Sequence, residues 1–425
     1  ERWNLRPDSV FLVKRASMID FTGLWQIVGN KRFKERLPQI PDPVKPLSYP
    51  EEGRADIFEV LKERDILLHH PYNNIDSILD LIENAAEDPN VMAIKMTIYR
   101  LAKNSRITKA LLRAAENGKH VSVLFEVKAR FDEENNILEA KKLQKAGCFV
   151  IYGISNLKTH TKLLLIVKKD DQEITRYVHL GSGNYNEDTA RLYTDIGLLT
   201  TNEVLANDVS EFFNVITGHS MPTHYEHLIT APRDMRNRLI EMIDHEVDNH
   251  KAGLPAGICW KINSLQDTLT MEALYKASKA GVPILLIVRG ICCLRPQRPG
   301  LSENIYIKSI VGNYLEHTRI FYFHNNEDPK IYGGSADVMV RSFDRRIESL
   351  FELVNSRAKN LAITILNWNL RDTVNSYEMQ EDGNYWKVES DEPFDIHQEF
   401  YHLKEEDLVD VVPFENYTLN LETKE

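Results

Sequence analysis

Short apolar runs and longer amphipathic stretches alternate along the chain from Val91 onward. The runs at residues 91–99 and 120–127 predict β-strands, and the amphipathic stretch 107–118 between them predicts a helix that ends at a glycine. A second helix and a further strand are predicted over residues 134–147 and 148–152. Because strands that alternate with helices build βαβ units, the pattern predicts an α/β fold with a mostly parallel sheet.

The pattern of the first half recurs in the second. Strands are predicted over residues 257–262 and 283–289, with a helix over 268–281 between them. The sequence ALLRAAENGKHVSVLFEV at 110–127 has a counterpart in ALYKASKAGVPILLIV at 273–288. Because similar elements recur in the same order over the length of a domain, we predict two similar domains rather than a short repeat array.

Two stretches of the chain predict domain boundaries. Five prolines fall between residues 38 and 50, a density that excludes helix and predicts an extended linker. A polar segment with two further prolines follows at residues 217–234. We therefore expect an N-terminal segment with the linker at 1–46, a first α/β domain at 47–227, and a second at 228–425 that ends in an acidic tail.

The charge of the chain is unevenly distributed. A net charge of −11, with 27% charged and 43% hydrophobic residues, is typical of a globular protein and argues against a partner made of nucleic acid. Residues 378–425 carry 15 acidic residues against three lysines, so the rest of the chain is close to neutral and has cations for an anion site.

The apolar runs and the cysteines bear on the cellular compartment of the protein. The apolar runs are too short for a transmembrane helix, and the four cysteines lack the spacing of a metal site. We expect a reduced, cytoplasmic setting and leave peripheral association with the inner face of the membrane open. The sequence begins at Glu1, in mid-pattern, which suggests a fragment of a longer polypeptide.

A His-x-Lys and a His-x-Arg motif occupy similar positions in the two halves. His160 precedes Lys162, His317 precedes Arg319, and a glycine-serine turn follows each motif. Since side chains alternate along a strand, residues i and i+2 share a face, and each pair is expected to face one anion. The turns are expected to add backbone N–H groups near it. Two such halves facing each other bring two imidazoles to one phosphoryl group, where one attacks and the other donates a proton or stabilises charge.

Arginines stand at the ends of predicted strands. Arg100 and Arg130 follow the first two strands of the first half, and Arg289 follows the equivalent strand of the second. In parallel α/β sheets, ligands bind outside the carboxyl ends of strands, and arginine forks suit phosphate oxygens. These residues therefore predict a groove for a polyanion. The expected phosphate contacts are Lys162, Arg319 and Arg346.

Long and distinctive motifs are present in both halves. They are HHPY at 69–72, AIKMTIYR at 93–100, KARFDEENN at 128–136, LKTHTKL at 157–163, HLGSGNYN at 179–186, ARLYTDIGLLT at 190–200, IVRGICCLRP at 287–296, LSENI at 301–305, IVGNYLEHTR at 310–319 and SADVM at 335–339. Together they closely resemble the bacterial polyphosphate kinase 1 family, over residues 1 to about 415. The resemblance implies two tandem phospholipase D-like α/β domains facing each other, preceded by the remnant of a helical head domain.

The resemblance also implies an activity. The family transfers the terminal phosphate of ATP reversibly to inorganic polyphosphate through a phosphohistidine. By motif, His160 is expected to be the phosphorylated nucleophile and His317 the second essential histidine. The implied partners are ATP, ADP and inorganic polyphosphate, and the full-length protein is expected to be a homo-oligomer, a dimer or a tetramer.

Further residues take roles from the same resemblance. Tyr193, Arg289 and His317 match nucleotide contacts, and Arg100 and Arg130 match arginines associated with magnesium. Because arginine does not ligate a cation, we expect these two to touch phosphate beside a Mg²⁺–phosphate complex. Mg²⁺ is the implied cofactor. The family's adenine-contacting N-terminal domain and most of its head domain are missing from the sequence.

Two alternatives stay open. A phospholipase D-like phosphodiesterase or nuclease requires an aspartate at a fixed spacing after His-x-Lys, where this chain has Val167, and its second motif has Arg319 in place of lysine. A fragment that binds polyphosphate without catalysis is the other alternative.

Overall fold

The computed structural model describes residues 23–37, 40–47, 49, 56–102, 105–126, 133–154, 157–170, 173–218 and 224–415, and the statements below concern these residues. The chain forms two compact units, Glu1–Asp42 and Pro43–Glu425. In the smaller unit, α1 (Leu24–Val28) is followed by a 3₁₀ helix at Lys31–Arg36. The assignment of residues 1–46 to a helical head domain stays a prediction, as do the other predicted boundaries.

The first half of the larger unit contains one mixed sheet. Its strands are Ile66–His70 (β1), Val91–Ile98 (β2), His120–Phe125 (β3), Phe149–Tyr152 (β4), Lys162–Asp170 (β6), Glu173–Gly181 (β7) and Tyr193–Thr200 (β8), and a two-residue strand, Lys158–Thr159 (β5), leaves this sheet. Its helices are Ile57–Glu63 (α2), Asp76–Glu87 (α3), Arg106–Glu116 (α4), Glu133–Lys145 (α5) and Glu203–Ile216 (α6), with a 3₁₀ turn at Thr189–Arg191.

The second half contains the other sheet. Its strands are Leu228–Ala231 (β9), Ile258–Ile262 (β10), Ile284–Val288 (β11), Ile305–Ile310 (β12), Ile320–Phe323 (β14), Lys330–Gly334 (β15), Arg346–Glu352 (β16), Ser376–Met379 (β17) and Tyr385–Lys387 (β18), and the two-residue strand Leu315–Glu316 (β13) leaves it. Its helices are Met235–Lys251 (α7), Thr268–Lys279 (α8), Val340–Asp344 (α9), Ser356–Arg371 (α10) and Ile396–Glu399 (α11), with 3₁₀ turns at Phe400–His402 and Glu405–Asp407.

The two sheets have the same strand order. It is β1-β8-β7-β6-β2-β3-β4 in the first half and β9-β16-β15-β14-β10-β11-β12 in the second, where β17 and β18 extend the edge. The duplicated α/β architecture predicted from the sequence is therefore confirmed. The predicted strands and helices of both repeats are also confirmed, with ends within two residues of those observed.

The expectation of a mostly parallel sheet was wrong. Among strands of the same half, parallel pairing is confined to three neighbouring strands, β2, β3 and β4 in the first half and β10, β11 and β12 in the second. The pairs β6–β7, β7–β8 and β1–β8 are antiparallel. Short connections join only antiparallel neighbours, because a parallel pair needs a long crossover.

The central helix of each repeat, α4 or α8, has a side-chain cap at its start and a glycine after its end. At the start of α4, Oγ of Ser105 accepts the N–H of Ile107 at 3.1 Å, and at the start of α8, Oδ1 of Asp267 accepts the N–H of Thr270 at 3.1 Å. Gly118 and Gly281 follow the two helices with φ of 78° and 101°, a conformation that favours glycine.

The two halves exchange their shortest strands. β5, from the first half, pairs in parallel with β16 of the second, and β13, from the second half, pairs in parallel with β8 of the first. An apolar core that includes residues of both sheets and of α6 and α10 joins the halves. His160 directly follows β5 and His317 directly follows β13, so the exchange brings each of these histidines to the opposite half.

Candidate active site

His160 lies in the link between β5 and β6. Its backbone N–H donates to the carbonyl of Ile347 at 2.9 Å, which continues the pairing of β5 with β16. Its Nδ1 lies 2.9 Å from Oε2 of Glu348, a fully buried carboxylate of the second half. With Nδ1 engaged in this way, Nε2 is the ring nitrogen left for a substrate.

His317 lies in the equivalent link between β13 and β14. Its backbone N–H donates to Oγ1 of Thr194 at 3.1 Å, and its Nδ1 lies 2.8 Å from Oδ1 of Asp195. Both partners belong to β8 of the first half. Each histidine is thus oriented through Nδ1 by a buried carboxylate from the opposite half.

A serine holds each of these carboxylates. Oγ of Ser182 donates to Oδ1 of Asp195 at 2.7 Å, and Oγ of Ser335 donates to Oε2 of Glu348 at 2.5 Å. The backbone N–H groups of the two serines donate to strand carbonyls at Ile196 and Ser349. The expectation that this part of the turns faces an anion was wrong, because the serines continue the ladder between neighbouring strands.

The predicted cations lie around the two histidines. Lys162 is 1% exposed, and its Nζ donates to the carbonyl of His160. Arg319 places Nη1 3.0 Å from Nε2 of His317, while its Nη2 pairs with Asp337 at 3.1 Å. Arg346 lies at the start of β16, with Nη1 3.6 Å from Oε1 of Glu348.

An aromatic ring flanks each histidine. The ring centroids of Tyr99 and His160 are 5.4 Å apart, as are those of Tyr193 and His317. The guanidinium carbon of Arg100 lies 5.5 Å from the centroid of Tyr99. Each imidazole therefore has a tyrosine ring beside it.

Arg289 approaches His317 through a bridging amide. Its Nε donates to Oδ1 of Asn263 at 2.5 Å, and Nδ2 of Asn263 donates to the carbonyl of His317 at 3.2 Å. Asn263 directly follows β10 and Arg289 directly follows β11, the strand ends at which a ligand site was expected.

Burial and cations set the charge of His160. Burial lowers the pKa of this histidine well below 6.5, and the charges of Lys162, Arg346, Arg319 and His317 lower it further. Because two of these groups come from the other histidine motif, the two motifs share one electrostatic site. The neutral imidazole is the form that has a lone pair for attack.

The groups around His160 respond to the same environment. Burial raises the pKa of Glu348, against the attraction of Lys162 and Arg346. Burial also lowers the pKa of Lys162 to about 7, against the attraction of Glu348. Burial opposes ionisation of Asp195 as well, but the nearby His317 and Arg319 outweigh it and lower the pKa of that carboxyl.

The structure places most of the predicted site residues together. His160, Lys162, His317, Arg319 and Arg346 form its centre, with Tyr193 and Arg289 beside His317 and Arg100 beside Tyr99. Arg130 lies outside the described residues.

Sequence reasoning missed the residues that orient the histidines. Asp195 lies within the motif ARLYTDIGLLT without a predicted role, and Glu348 lies in none of the motifs singled out in the sequence. A signal was present, because Asp195 follows Ser182 by thirteen residues and Glu348 follows Ser335 by the same interval. Aligning the two repeats beyond their glycine turns would have found both carboxylates.

The described side chains do not form a metal site of their own. In the part of the chain that the structure describes, no group of three or more His, Cys, Asp or Glu side chains is arranged to hold a metal ion. The arginine predicted beside a metal and described here, Arg100, has no lone pair to offer a cation.

Comparison with known proteins identifies the family. The model of polyphosphate kinase C-terminal domain 1 matches residues 56–222, and that of C-terminal domain 2 matches residues 228–398. The chain belongs to the polyphosphate kinase family. A polyphosphate kinase of Staphylococcus haemolyticus is 47% identical over 389 residues, which are 91% of this chain and 53% of that protein.

Other polyphosphate kinases match to a similar extent. Polyphosphate kinase 1 of Chlorobaculum tepidum is 47% identical over 84% of this chain and 51% of its own length. The crystal structure of polyphosphate kinase from Porphyromonas gingivalis superposes with a TM-score of 0.80 and 35% identity, and covers 86% of this chain and 56% of that one. The chain therefore spans about half the length of the relatives it matches.

A more distant structure shares only the fold. Phosphatidylserine synthase of Haemophilus influenzae superposes with a TM-score of 0.51 at 11% identity, covering 77% of this chain and 88% of that one. The two tandem phospholipase D-like domains expected from the sequence are confirmed by these matches.

Proposed function

We propose that this chain contains the catalytic centre of a polyphosphate kinase, which moves the terminal phosphate of ATP reversibly onto inorganic polyphosphate. The observation that carries the proposal is the crossed arrangement in which each half orients the histidine of the other, His160 on Glu348 and His317 on Asp195. Such an arrangement fixes two imidazoles in one cationic site. Phosphoryl transfer depends mainly on this kind of positioning and charge neutralisation.

In the proposed first step, His160 is the nucleophile. Nδ1–H of His160 donates to ionised Glu348, so that the lone pair of Nε2 attacks the terminal phosphorus of ATP. The Nε2–P bond forms as the bond from that phosphorus to the bridging oxygen breaks, and ADP leaves with the electron pair. In the second step, a terminal oxygen of polyphosphate attacks phosphorus, the N–P bond breaks, and the polymer is longer by one phosphate.

The second histidine motif stabilises the transferring group. In the structure, Nε2 of His317 lies within hydrogen-bonding distance of Nη1 of Arg319. A phosphate that binds Arg319 releases Nε2 of His317 to carry a proton and donate it to a phosphate oxygen. Lys162 and Arg346 supply further positive charge beside His160, where negative charge collects in the transition state.

The other predicted contacts take their places around this centre. We propose that Tyr193 and Arg289 contact the nucleotide beside His317, and that Arg100 and Arg130 contact phosphate oxygens. Polyphosphate kinases generally use a divalent metal, and we propose that Mg²⁺ enters with the nucleotide as its phosphate complex. This assignment fits the arginines, which neutralise phosphate but do not bind metal.

The test is the covalent state of His160. The complete polypeptide that contains this chain is incubated with Mg²⁺ and ATP labelled in its terminal phosphate, and the protein is assayed for a base-stable, acid-labile label. ADP is then added with polyphosphate to measure ATP formation. We expect the label on His160 and ATP formation in the wild type, and loss of both in His160→Ala.

The control is His120→Ala, which removes an exposed histidine at the start of β3. It is expected to keep the label and the activity. Polyphosphate binding without phosphate exchange would instead identify a binding fragment. Cleavage of a phosphodiester without exchange would identify a phospholipase D-like enzyme. Full activity of His160→Ala would remove this histidine from its proposed role.

The proposal includes the cellular compartment in which the protein works. In the described ranges, no helix is both long and apolar enough to cross a bilayer. We propose that the enzyme works in the cytoplasm, where ATP and ADP are available. The homo-oligomer expected from the resemblance stays a prediction.

A further inference from the structure

A buried carboxylate directly precedes the second histidine. Glu316 is 3% exposed and accepts three hydrogen bonds, although its neighbour His317 faces the site. Nζ of Lys261 lies 2.6 Å from its Oε2, and Nε2 of His397 lies 2.6 Å from its Oε1. Oγ1 of Thr194 donates to the same carboxylate at 3.1 Å.

Thr194 connects this carboxylate to the backbone of His317. Its Oγ1 accepts the N–H of His317 at 3.1 Å and donates its own hydrogen to Glu316. The position of Glu316 therefore decides where Thr194 directs its lone pair. Because this lone pair accepts the N–H of His317, Glu316 also influences how the backbone of His317 is held against β8.

His397 holds the segment before His317 at both ends. The N–H of Asn313 donates to Nδ1 of His397 at 3.0 Å, so Nδ1 is an acceptor and Nε2 carries the ring hydrogen that is donated to Glu316. A Cβ on Gly312 would stand 2.5 Å from Nδ1 of the same ring. The motif GNYLEH thus needs its glycine so that His397 can approach.

Aromatic rings keep the segment around His397 in place. Tyr401 hydrogen-bonds through its hydroxyl to that of Tyr314 at 2.6 Å. The ring of Tyr72, from the HHPY motif of the first half, lies 5.7 Å from Tyr314, 5.1 Å from Tyr401 and 4.9 Å from Phe400, measured between centroids. Residues 395–401 therefore pack against both halves next to the active site.

We propose that His397 is a positioning residue for His317, and that residues 395–401 serve the reaction by holding Gly312–His317 through Glu316. The proposal rests on the proposed function, because it concerns the second histidine of that site. It gives a role to Tyr72 of the HHPY motif and to Gly312 and Glu316 of the second histidine motif, which the transfer steps leave unused. The first repeat has Thr159 where the second has Glu316, so this arrangement is specific to the histidine that stabilises charge.

Three substitutions of His397 distinguish the effect of its hydrogen bond to Glu316 from that of its hydrogen bond with Asn313. The complete polypeptide is assayed for ADP-to-ATP conversion with polyphosphate and Mg²⁺, and its folding is checked by circular dichroism. His397→Gln places an N–H near the position of Nε2 and keeps the donor to Glu316, whereas His397→Asn keeps only a group near Nδ1. We expect His397→Ala and His397→Asn to lower kcat by roughly 10- to 100-fold with KM changed less than about threefold, and His397→Gln to stay within about threefold of wild type.

A double variant tests whether the effect passes through His317. If His397 acts by positioning that histidine, adding His397→Ala to His317→Ala should cost less than about twofold more. The matched control is His402→Ala, which removes an exposed histidine directly after this segment and should leave the activity unchanged.

The outcomes separate the two proposals. An inactive wild-type protein would refute the proposed function. An active wild type with kcat unaffected by His397→Ala, or with losses that multiply in the double variant, would refute only the positioning role. If His397→Ala does not fold, equal activity of His397→Gln and His397→Asn would refute it as well.

Discussion

His160 and Glu348 are 188 residues apart and belong to opposite halves of the molecule, yet Nδ1 of the histidine lies 2.9 Å from the carboxylate. Asp195 and His317 form the reciprocal pair at 2.8 Å. Each of these two histidines therefore takes its carboxylate from the opposite half. The duplication of the domain produces a site only because the strands before the two histidines cross to the other sheet.

Replacing Glu348 by glutamine is expected to slow phosphorylation of His160. The neutral amide can donate to Nδ1 through its NH2 group as well as accept from it, and it stabilises the imidazolium less than the carboxylate does, so the tautomer with a lone pair on Nε2 is less populated. By analogy with other histidine–carboxylate pairs, the rate should fall by roughly 10²- to 10⁴-fold. The measurement is the single-turnover rate of labelling from ATP.

A matched control exists on the same strand. Glu352 also accepts from a histidine, with Nδ1 of His227 at 2.9 Å, but it lies four residues further along β16. Glu352→Gln should leave the labelling rate within about twofold. Equal losses in the two variants would mean that the strand, rather than the orientation of His160, was damaged.

The rate of phosphoenzyme formation should fall as the pH drops below about 7. Burial raises the pKa of Glu348 to about 7, so the carboxyl takes up a proton in that range. Protonated Glu348 donates to Nδ1 of His160, which moves the ring hydrogen to Nε2 and blocks attack. The pH profile of kcat/KM measures this fall in rate at low pH, which we call the acidic limb. Glu348→Gln should lack the acidic limb. A limb that persists unchanged in that variant would assign it to another group.

The alkaline side of the same profile is expected to depend on Lys162. Its pKa is lowered to about 7 by burial, so in the free enzyme the positive charge is lost as the pH rises through that value. Lys162→Arg keeps the charge at every accessible pH, because guanidinium does not deprotonate in proteins. The variant should therefore show no fall of kcat/KM from pH 7 to 9. A fall as steep as that of the wild type would exclude Lys162 as its origin.

Gly183→Ala should disable the site through Asp195. A Cβ at this position would stand 2.5 Å from Oδ2 and 2.6 Å from Cγ of the carboxylate, so Asp195 has to move away from His317. We expect a loss of kcat comparable to that of Asp195→Asn, roughly 10²-fold or more. Ser182→Ala removes one hydrogen bond to Asp195 and should cost less. Normal activity of Gly183→Ala would show that the carboxylate tolerates displacement.

The buried pair of Lys261 and Glu316 gives a prediction about stability. Burial opposes ionisation of Glu316, but Lys261 and His397 outweigh it and lower its pKa to about 2, so the carboxylate is charged at neutral pH. Lys261→Met leaves this charge without its cation and should reduce the free energy of unfolding by about 3–5 kcal/mol. Urea denaturation measures the change.

A double variant is the control for this loss. Lys261→Met combined with Glu316→Gln removes both charges and should recover at least half of it, because the uncompensated charge is the cause. A loss below about 1 kcal/mol in Lys261→Met alone would contradict the argument.

Local patterns in the sequence determined the strand–helix–strand stretches of the two repeats and their duplication. Apolar runs, amphipathic stretches and the glycines after α4 and α8 predicted strands and helices to within two residues. Those signals depend on neighbours a few positions apart, such as the cap from Ser105 to Ile107, so the chain itself displays them. The repeated motifs likewise pointed to His160, Lys162, His317 and Arg319, because each pair lies two residues apart.

The tertiary structure decided what each of these residues faces. The sequence gives no sign that β5 leaves its own sheet for β16, or that β13 joins β8, since strands of two residues carry no hydrophobic period. The partners Glu348 and Asp195 follow from that exchange, and the contact of His397 with Glu316 likewise joins residues that are 81 positions apart. Contacts between distant residues depend on which sheet edges meet, and this is settled by packing of the whole core rather than by any local pattern.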